Sequence, residues 1–399
     1  MKRGFKMEKR NSFMTQFSIL AISLFLTSAT SINGALPQMQ NELEMNNFVT
    51  ELVATMPALA VVIFVILSSF IAEKIGTKRT IQTGLILVGI GGAAPIILPN
   101  YQLILISRFI LGAGFGLFNS LAVSIINMLY RDEHKKRADL LGFRGSSENI
   151  GNTLMTLLAG VLLAFGWRLS FGVYLLAFPI LILFTIFVPE IKEEETNSEN
   201  QVSTEVGKLE LPVYVLALFA LFLVMTFIAF GIRFPAMATS LKGPNFNAST
   251  YLAMHPLIGI IAGAIFGPLN RILKEKCLYL GMGLLIISCF MVSNAQNSFP
   301  MLVIGYLISG IPGALILPFI YNALNDYASK DKMNAATSII VIGCNVGNFI
   351  APFSLQFFQF LSGSSSIFAP FTAIGITLFI IIIILMIGSR RSANSVAKR

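Results

Sequence analysis

Apolar runs of roughly 18–25 residues, the length a helix needs to cross a bilayer, recur about a dozen times between Phe17 and Gly388. One long polar stretch, from Pro189 to Pro212, divides these runs into two groups of about six. Soluble domains do not carry so much continuous apolar sequence, so the pattern predicts an all-α membrane protein. Two matched halves joined by a linker are also typical of transporters.

The pattern predicts twelve transmembrane helices in two pseudo-symmetric six-helix bundles. The N-terminal bundle is expected within residues 1–188, a flexible cytoplasmic linker rich in Glu, Ser, Asn and Thr at 189–211, and the C-terminal bundle within 212–399. The predicted spans, in chain order, are 16–36, 49–72, 79–98, 102–127, 139–164, 168–188, 212–233, 250–270, 277–296, 300–323, 335–360 and 367–388.

Composition supports the membrane class. Of the 399 residues, 55% are hydrophobic and 12% are charged, and the mean hydropathy is +0.78. A soluble domain has about 25% charged residues. The start of the chain, Lys2 to Arg10 followed by an apolar run, is similar to a signal peptide. The run lacks a convincing small-residue cleavage site, so we expect a retained first helix.

The net charge of +9 could indicate nucleic acid as a partner, but its distribution argues otherwise. If the N-terminus is cytoplasmic and the loops alternate, 23 of the 28 Lys and Arg residues fall in cytoplasmic loops and tails. This bias predicts a plasma-membrane protein with both termini in the cytoplasm. Arg168, Arg233 and Lys242 are expected outside, and Arg108 and Arg144 within spans.

The two halves share a short sequence repeat. Asn149-Ile-Gly-Asn152 in the fifth predicted span matches Asn345-Val-Gly-Asn348 in the eleventh, 196 residues later. Parallel repeats of this kind imply a pseudo-two-fold axis along the membrane normal, with a cavity between the halves.

Three further motifs carry a family resemblance. The loop after the second span, Ser69 to Arg79, contains Glu73, Lys74, Gly76 and Lys78 at spacings that resemble the loop signature of the major facilitator superfamily. The fourth span begins Arg108-Phe-Ile-Leu-Gly112-Ala-Gly114-Phe-Gly116, which is similar to the arginine-and-glycine pattern of proton-coupled members, and Trp167-Arg168-x-x-Phe171 opens the sixth. The resemblance covers nearly the whole chain and implies a secondary transporter that works by alternating access.

One feature departs from the family's drug:proton antiporters. Those proteins commonly carry a Gly-Pro motif in the fifth span, whereas Gly145 to Thr153 contains no proline and carries Asn149 and Asn152.

Proton coupling is expected to involve Glu148, the acidic residue nearest mid-membrane, since a carboxyl group there is costly and marks a functional candidate. Burial favours its neutral form and a nearby cation its charged form, so it can be tuned to load and release a proton. Arg144, four residues earlier, lies on the same helix face. The resemblance implies that Arg108 modulates protonation. The alternatives are a permanent Arg144–Glu148 pair that only holds helices together, and an Arg108 that snorkels to the headgroups.

Substrate-binding candidates are the polar groups that face the expected cavity, with interhelical hydrogen bonding as the alternative role. They are Asn33, Asn119, Asn149, Asn152, His255, Asn345 and Asn348. Arg233 is expected at the outer end of the seventh span, where it either attracts anions or anchors the helix at the membrane surface.

Gating candidates lie in two matching cytoplasmic loops. The resemblance implies that they latch the state closed to the cytoplasm, while simple positive-inside anchoring is the other interpretation. They are Glu73, Lys74, Gly76, Lys78, Arg79, Asn270 and Arg271.

The sequence contains no nucleotide-binding loop, metal-spaced cluster or Ser/His/Asp arrangement, so neither an enzyme nor a cofactor is expected. The three cysteines lie at or within apolar spans and indicate no disulfide framework. We expect a monomeric transporter whose partners are a small-molecule substrate, protons and the lipid bilayer. The first hypothesis is proton-coupled efflux of an apolar or amphipathic compound. The alternatives are uptake or exchange of a small organic anion and a lipid flippase.

Overall fold

The computed structural model describes residues 12–130, 133–189, 209–273, 276–329 and 332–396, and these residues form helices, turns and loops without a strand. Most of the predicted linker, residues 190–208, lies outside them. Helices of the N-terminal group are α1 Phe13–Ser23, α2 Leu36–Glu42, α3 Asn47–Ile75, α4 Thr77–Ala93, α5 Tyr101–Leu129, α6 His134–Leu163, α7 Trp167–Ser170 and α8 Ala177–Phe187. Helices of the C-terminal group are α9 Leu211–Lys242, α10 Ser249–Leu273, α11 Lys276–Ser293, α12 Phe299–Ile308, α13 Gly310–Tyr327, α14 Met333–Ser362 and α15 Pro370–Val396.

Within the described residues, nine helices are long and apolar enough to cross a membrane, and a bent pair, Phe13–Ser23 with Ser28–Glu42, makes a tenth span. The two remaining predicted spans are also helical. These two helices differ from the nine in length or polarity, because α4 has only 17 residues and α6 begins with the charged turn His134–Arg137. The prediction of an all-α membrane fold is therefore confirmed.

Two predicted spans differ from the helices observed. The first was expected to be continuous over 16–36, but its helix ends at Ser23 and the chain bends by 54° before it resumes. The break mixes large apolar residues, such as Phe25 and Ile32, with small and polar ones, and it contains the short 3-10 turns Ser28–Thr30 and Asn33–Ala35. The seventh span was expected to end at residue 233, but α9 continues through Pro235 to Lys242.

Short loops fix the direction of each helix. Gly76, with a φ of 88°, separates α3 from α4, a conformation that glycine adopts without strain. Asn46 and Asn100 cap α3 and α5 by accepting hydrogen bonds from Val49 N and Leu103 N. We call the end that bears Gly76 and the start of α6 the basic end, and the end that bears these caps the opposite end.

Glycines let α5 approach its neighbours closely. A Cβ atom added at Gly112 would lie 2.2 Å from the carbonyl oxygen of Pro57 in α3, and one at Gly114 would lie 2.5 Å from the carbonyl oxygen of Gly84 in α4. Gly116 meets the side chain of Phe64 in the same way. The absence of a side chain at these glycines is therefore what permits the close approach of the backbones.

Helices of the two groups contact each other along two seams. Helix α3 packs on α14, and α6 packs on α10. Helix α9 also contacts α2 and the turn Asn33–Ala35. The break in the first span therefore lies beside the centre of the molecule, where both groups meet.

Candidate functional site

The seam between α6 and α10 is closed toward the opposite end. Asn247 donates a hydrogen bond from Nδ2 to the carbonyl oxygen of Gly160 at 2.7 Å, and Thr153 Oγ1 donates to the carbonyl oxygen of Ala253 at 3.4 Å. A Cβ atom added at Gly160 would come within 2.5 Å of Ser249 Cβ. The two groups are therefore in direct contact here.

The same seam is open toward the basic end. Gly145 lies two turns before Asn152 on the same face of α6, and Gly263 and Gly267 continue the Ser249–Ala253 face of α10. A Cβ atom added at any of these three glycines would meet no atom within 4 Å. Asn149, between Gly145 and Thr153, is exposed. On the basic-end side of Asn149, this seam therefore has open space beside both helices.

A small cavity of about 90 Å³ lies between the groups, next to the closed region. Its polar lining comes from the first span and α6, and its apolar lining comes mainly from the C-terminal group. The lining residues are Thr30, Asn33, Asn152, Thr156, Phe227, Ile228, Gly231, Leu252 and Tyr306.

Two of the predicted substrate-binding asparagines line this cavity. Asn33 donates from Nδ2 to the carbonyl oxygen of Gly231 at 3.3 Å, while its Oδ1 is buried without a hydrogen-bond partner. Asn152 Oδ1 lies 3.4 Å from Ser31 Oγ and 3.5 Å from the hydroxyls of Thr30 and Thr156. Each of these asparagines therefore makes an internal contact and also lines the cavity, and their role in substrate binding stays a prediction.

The other predicted substrate-binding residues lie apart from this cavity. Asn149 and Asn345 each donate to the carbonyl oxygen four residues earlier, and Asn348 is half-buried in α14. His255 Nε2 lies 3.0 Å from Ser309 Oγ, at the break between α12 and α13, and its ring stacks on Tyr306 at 4.8 Å. His255 therefore supports a wall of the cavity through Tyr306.

Arg144 and Glu148 form an ion pair with 3.0 Å between Nη2 and Oε1. Arg144 Nη2 also donates to Asn119 Oδ1 at 3.2 Å, which joins α5 to the pair. The two side chains are 18% and 23% exposed, and Thr27 Oγ1 donates to the carbonyl oxygen of Glu148. The predicted pair exists, and both of its side chains are partly exposed.

Arg108 lies in a different environment from Glu148. It is fully buried and donates to the carbonyl oxygens of Val53 at 3.0 Å and Ala29 at 2.5 Å, and to Tyr174 Oη at 3.1 Å. Tyr174 Oη in turn donates to Ser28 O. Arg108 and Tyr174 thus satisfy carbonyls freed by the break in the first span. Full burial excludes the snorkelling alternative.

The expected gating loops lie at the basic end. Lys78 Nζ donates to the carbonyl oxygens of Thr185 and Val188 at 2.9 and 2.6 Å, and so joins α4 to the end of α8 within its own group. Gly76 forms the turn described above. Glu73, Lys74, Arg79 and Arg271 are exposed, and Asn270 is half-buried.

Arg233 differs from its predicted position at the outer surface. It is fully buried in α9, and its Nε lies 2.5 Å from Glu51 Oε1 in α3. Arg233 Nη1 also donates to Gln359 Oε1 at 3.3 Å and to Ile367 O at 3.5 Å. The pair joins the two helix groups near the opposite end, a relationship that sequence reasoning missed.

The described residues contain no group of three His, Cys, Asp or Glu side chains that could hold a metal ion. The geometry is that of a multi-span helical membrane protein with a small cavity between two helix groups, an arrangement typical of a transporter. A family model described as Major Facilitator Superfamily matches residues 18–293 and 216–399. The chain belongs to the major facilitator superfamily, whose members are transporters of small molecules and not enzymes.

Curated relatives include exporters and symporters. The chain is 27% identical to the multidrug efflux pump SdrM of Staphylococcus aureus over 229 residues, and the matched region covers 55% of this chain and 50% of that protein. It is 23% identical to the galactose-proton symporter of Escherichia coli over 199 residues, and the matched region covers 47% of this chain and 40% of the symporter. The chain spans about two fifths to half the length of the first curated relatives it matches.

Among solved structures, the nucleoside transporter NupG superposes with a TM-score of 0.75 at 11% identity, over 92% of this chain and 98% of that one. This likeness concerns the fold.

Proposed function

We propose that the protein is a proton-coupled exporter of small apolar or amphipathic molecules that works by alternating access. The proposed unit is a monomer in the plasma membrane, in which the bundles within 1–188 and 212–399 rock about the central cavity. The basic end faces the cytoplasm, because Lys and Arg concentrate there.

The Arg144–Glu148 pair carries the proposal. A carboxyl group within a membrane-spanning helix is costly, and here it pairs with a cation while both side chains remain partly exposed. Glu148 also lies on the face of α6 that bears Asn152, which lines the cavity. Proton binding at Glu148 would release Arg144 and alter the wall along which a substrate enters.

The cavity lining favours an uncharged or amphipathic substrate over an organic anion. Amide, hydroxyl, aromatic and aliphatic groups surround it. The arginines that could bind an anion already have partners, since Arg108 donates to carbonyl oxygens, Arg144 pairs with Glu148, and Arg233 pairs with Glu51. Uptake or exchange of an anion therefore remains the second candidate. The similarity to a multidrug efflux pump supports export, while the similarity to a sugar symporter leaves substrate class to experiment.

Reconstituted protein tests the proposal. In liposomes with an acidic lumen, a proton antiporter should accumulate ethidium, an amphipathic probe, and should not accumulate benzoate, a small organic anion. Glu148→Gln should abolish accumulation driven by the pH gradient. Glu44→Gln, which changes an exposed acidic residue in the loop before α3, is the matched control and should transport like the wild type.

Accumulation of ethidium by Glu148→Gln at the wild-type rate would contradict proton coupling through this residue. Gradient-driven benzoate movement without ethidium movement would favour the anion alternative. Movement of a fluorescent phospholipid between leaflets, independent of the pH gradient, would indicate a flippase.

A further inference from the structure

The Glu51–Arg233 pair crosses the boundary between the two helix groups. Arg144–Glu148 and Arg168–Glu42, in contrast, each lie within the N-terminal group. The Arg233 side chain is 0% exposed and the Glu51 side chain 4%. Any motion that separates the groups at the opposite end must break this pair.

The hydrogen bonds of Arg233 determine which partner moves. Gln359 in α14 and the carbonyl oxygen of Ile367, before α15, both accept from Arg233, and both belong to the C-terminal group. Glu51 lies in the second turn of α3, which begins at Asn47 near the opposite-end medium. When the groups separate, Arg233 keeps its partners in its own group, while Glu51 leaves with α3.

The neighbouring charged groups have other partners. Arg108, on the adjacent α5, donates to the carbonyl oxygen of Val53. Glu42, at the end of α2, accepts from Trp167 and pairs with Arg168. From α14 the pair meets the neutral Gln359, and Asn33 of the first span bonds to Gly231 near Arg233. The charge on Glu51 is therefore balanced chiefly by Arg233.

Hydrogen bonding of the pair is incomplete. Glu51 Oε2 and Arg233 Nη2 are buried without a hydrogen-bond partner. A buried ion pair of this kind adds little net stability, because desolvation offsets the attraction. Removal of one charge is different, since it leaves the other charge buried and uncompensated. A proton on Glu51 would leave Arg233 as such a charge, and opening to water would relieve it.

We propose that Glu51 and Arg233 form a proton-operated latch that keeps the opposite end closed, with Glu51 as a second proton-binding group of the transport cycle. The inference rests on the proposed alternating-access function. Glu148 exchanges protons with the basic-end medium, and Glu51 takes its proton from the water of the opposite-end medium. The two carboxyl groups thus serve opposite sides of the membrane.

A distance measurement tests the latch. Gln102 in α5 and Gln296 in the turn after α11 are exposed at the opposite end, one in each group. Spin labels at Gln102→Cys and Gln296→Cys would report their separation by double electron–electron resonance. The background would replace the three native cysteines, Cys277, Cys289 and Cys344, with Ala.

The population of long distances should rise on acidification of the wild type. Glu51→Gln should raise it roughly tenfold at mildly alkaline pH and remove its pH response, because a neutral side chain leaves Arg233 uncompensated. The double variant Glu51→Gln/Arg233→Gln, which has no buried charge, should also lose the pH response but stay more closed than the single variant. Glu42→Gln is the matched control, since its ion pair lies within one group, and it should respond to pH like the wild type.

A wild-type pH response in Glu51→Gln, or in the double variant, would overturn the latch. The result is separable from the proposed function, because Glu148→Gln should keep the distance response even where it loses ethidium accumulation. A normal distance response in Glu148→Gln together with wild-type ethidium transport would reject the proposed coupling and leave the latch intact.

Discussion

Gly151 of α6 lies directly against the backbone of Leu24, at the end of α1. A Cβ atom added at Gly151 would come within 2.2 Å of the carbonyl oxygen of Leu24. The matching Gly347 of α14 stands in the same relation to Leu221 of α9, at 2.3 Å. The sequence repeat thus has the same structural role in both halves. In each half its glycine allows a polar helix to pack closely against the first helix of that half.

Substitution of these glycines should destabilise the fold. Gly151→Ala and Gly347→Ala should each lower stability by about 1–3 kcal/mol, because the added methyl group clashes with a carbonyl oxygen. Thermal unfolding of purified protein in detergent would measure the loss. Gly145→Ala, in the open part of α6, is the control and should leave the Tm unchanged or slightly higher. Equal stability of all three variants would show that the helices are not in close contact.

Asn152 and Asn348 are sequence equivalents with different positions relative to the cavity. Asn152 lines it, whereas Asn348 does not. Asn152→Ala should therefore raise the KM for a transported compound about tenfold. Loss of a buried hydrogen bond to the substrate would weaken binding by roughly 1.4 kcal/mol, which corresponds to that factor. Asn348→Ala should have a smaller effect. Initial-rate transport by both variants would measure the difference, and a larger KM change in Asn348→Ala would place the binding site elsewhere.

Chemical accessibility should differ between two neighbouring turns of α6. Asn149 is exposed, while Thr153 is buried and bonded to Ala253. In a cysteine-free background, Asn149→Cys should react with a membrane-impermeant maleimide applied to inside-out vesicles, and Thr153→Cys should be protected. Asn149→Cys should react poorly in right-side-out vesicles. The reverse preference would contradict the proposed cytoplasmic orientation of the basic end.

The break in the first span should depend on Arg108 and Tyr174. Tyr174→Phe removes the hydrogen bond to Ser28 and the acceptor of Arg108, and should cost about 1–2 kcal/mol. Arg108→Lys should cost more, because an ammonium group does not reproduce the planar contacts to Val53 and Ala29. Thermal unfolding would rank the variants, with Tyr214→Phe, an exposed tyrosine, as the neutral control.

The Arg144–Glu148 pair could be predicted from sequence because four residues of one helix separate its members. Its third member, Asn119, comes from another helix, so spacing alone could not place it there. The sequence signal was only that a polar side chain lay within an apolar span.

The prediction for Arg233 was wrong because the end of a helix was placed too early. Arg233 and Pro235 together resembled a terminus, yet α9 accommodates the proline and continues to Lys242. This extension moves Arg233 into the interior, where it pairs with Glu51. The presence of an acidic residue in the second span was the available clue, since a buried acid needs a partner.

The interruption of the first span could not be predicted from hydrophobicity. Residues 24–35 are apolar or small enough to continue a helix, and their carbonyl partners, Arg108 and Tyr174, come from other helices. Apolar content measures whether a segment fits the membrane, but it does not show where tertiary hydrogen bonds replace helical ones.

The glycine contacts of α5 have a mechanical consequence. Gly112 and Gly114 bring its backbone directly against those of α3 and α4, without intervening side chains. Sliding of any of these three helices past another would therefore cause steric clashes. They should therefore translate and rotate as a single rigid lever. A conformational probe attached to any one of the three helices would report the same displacement. The flexibility that a conformational change requires must then lie in the segments around these three helices.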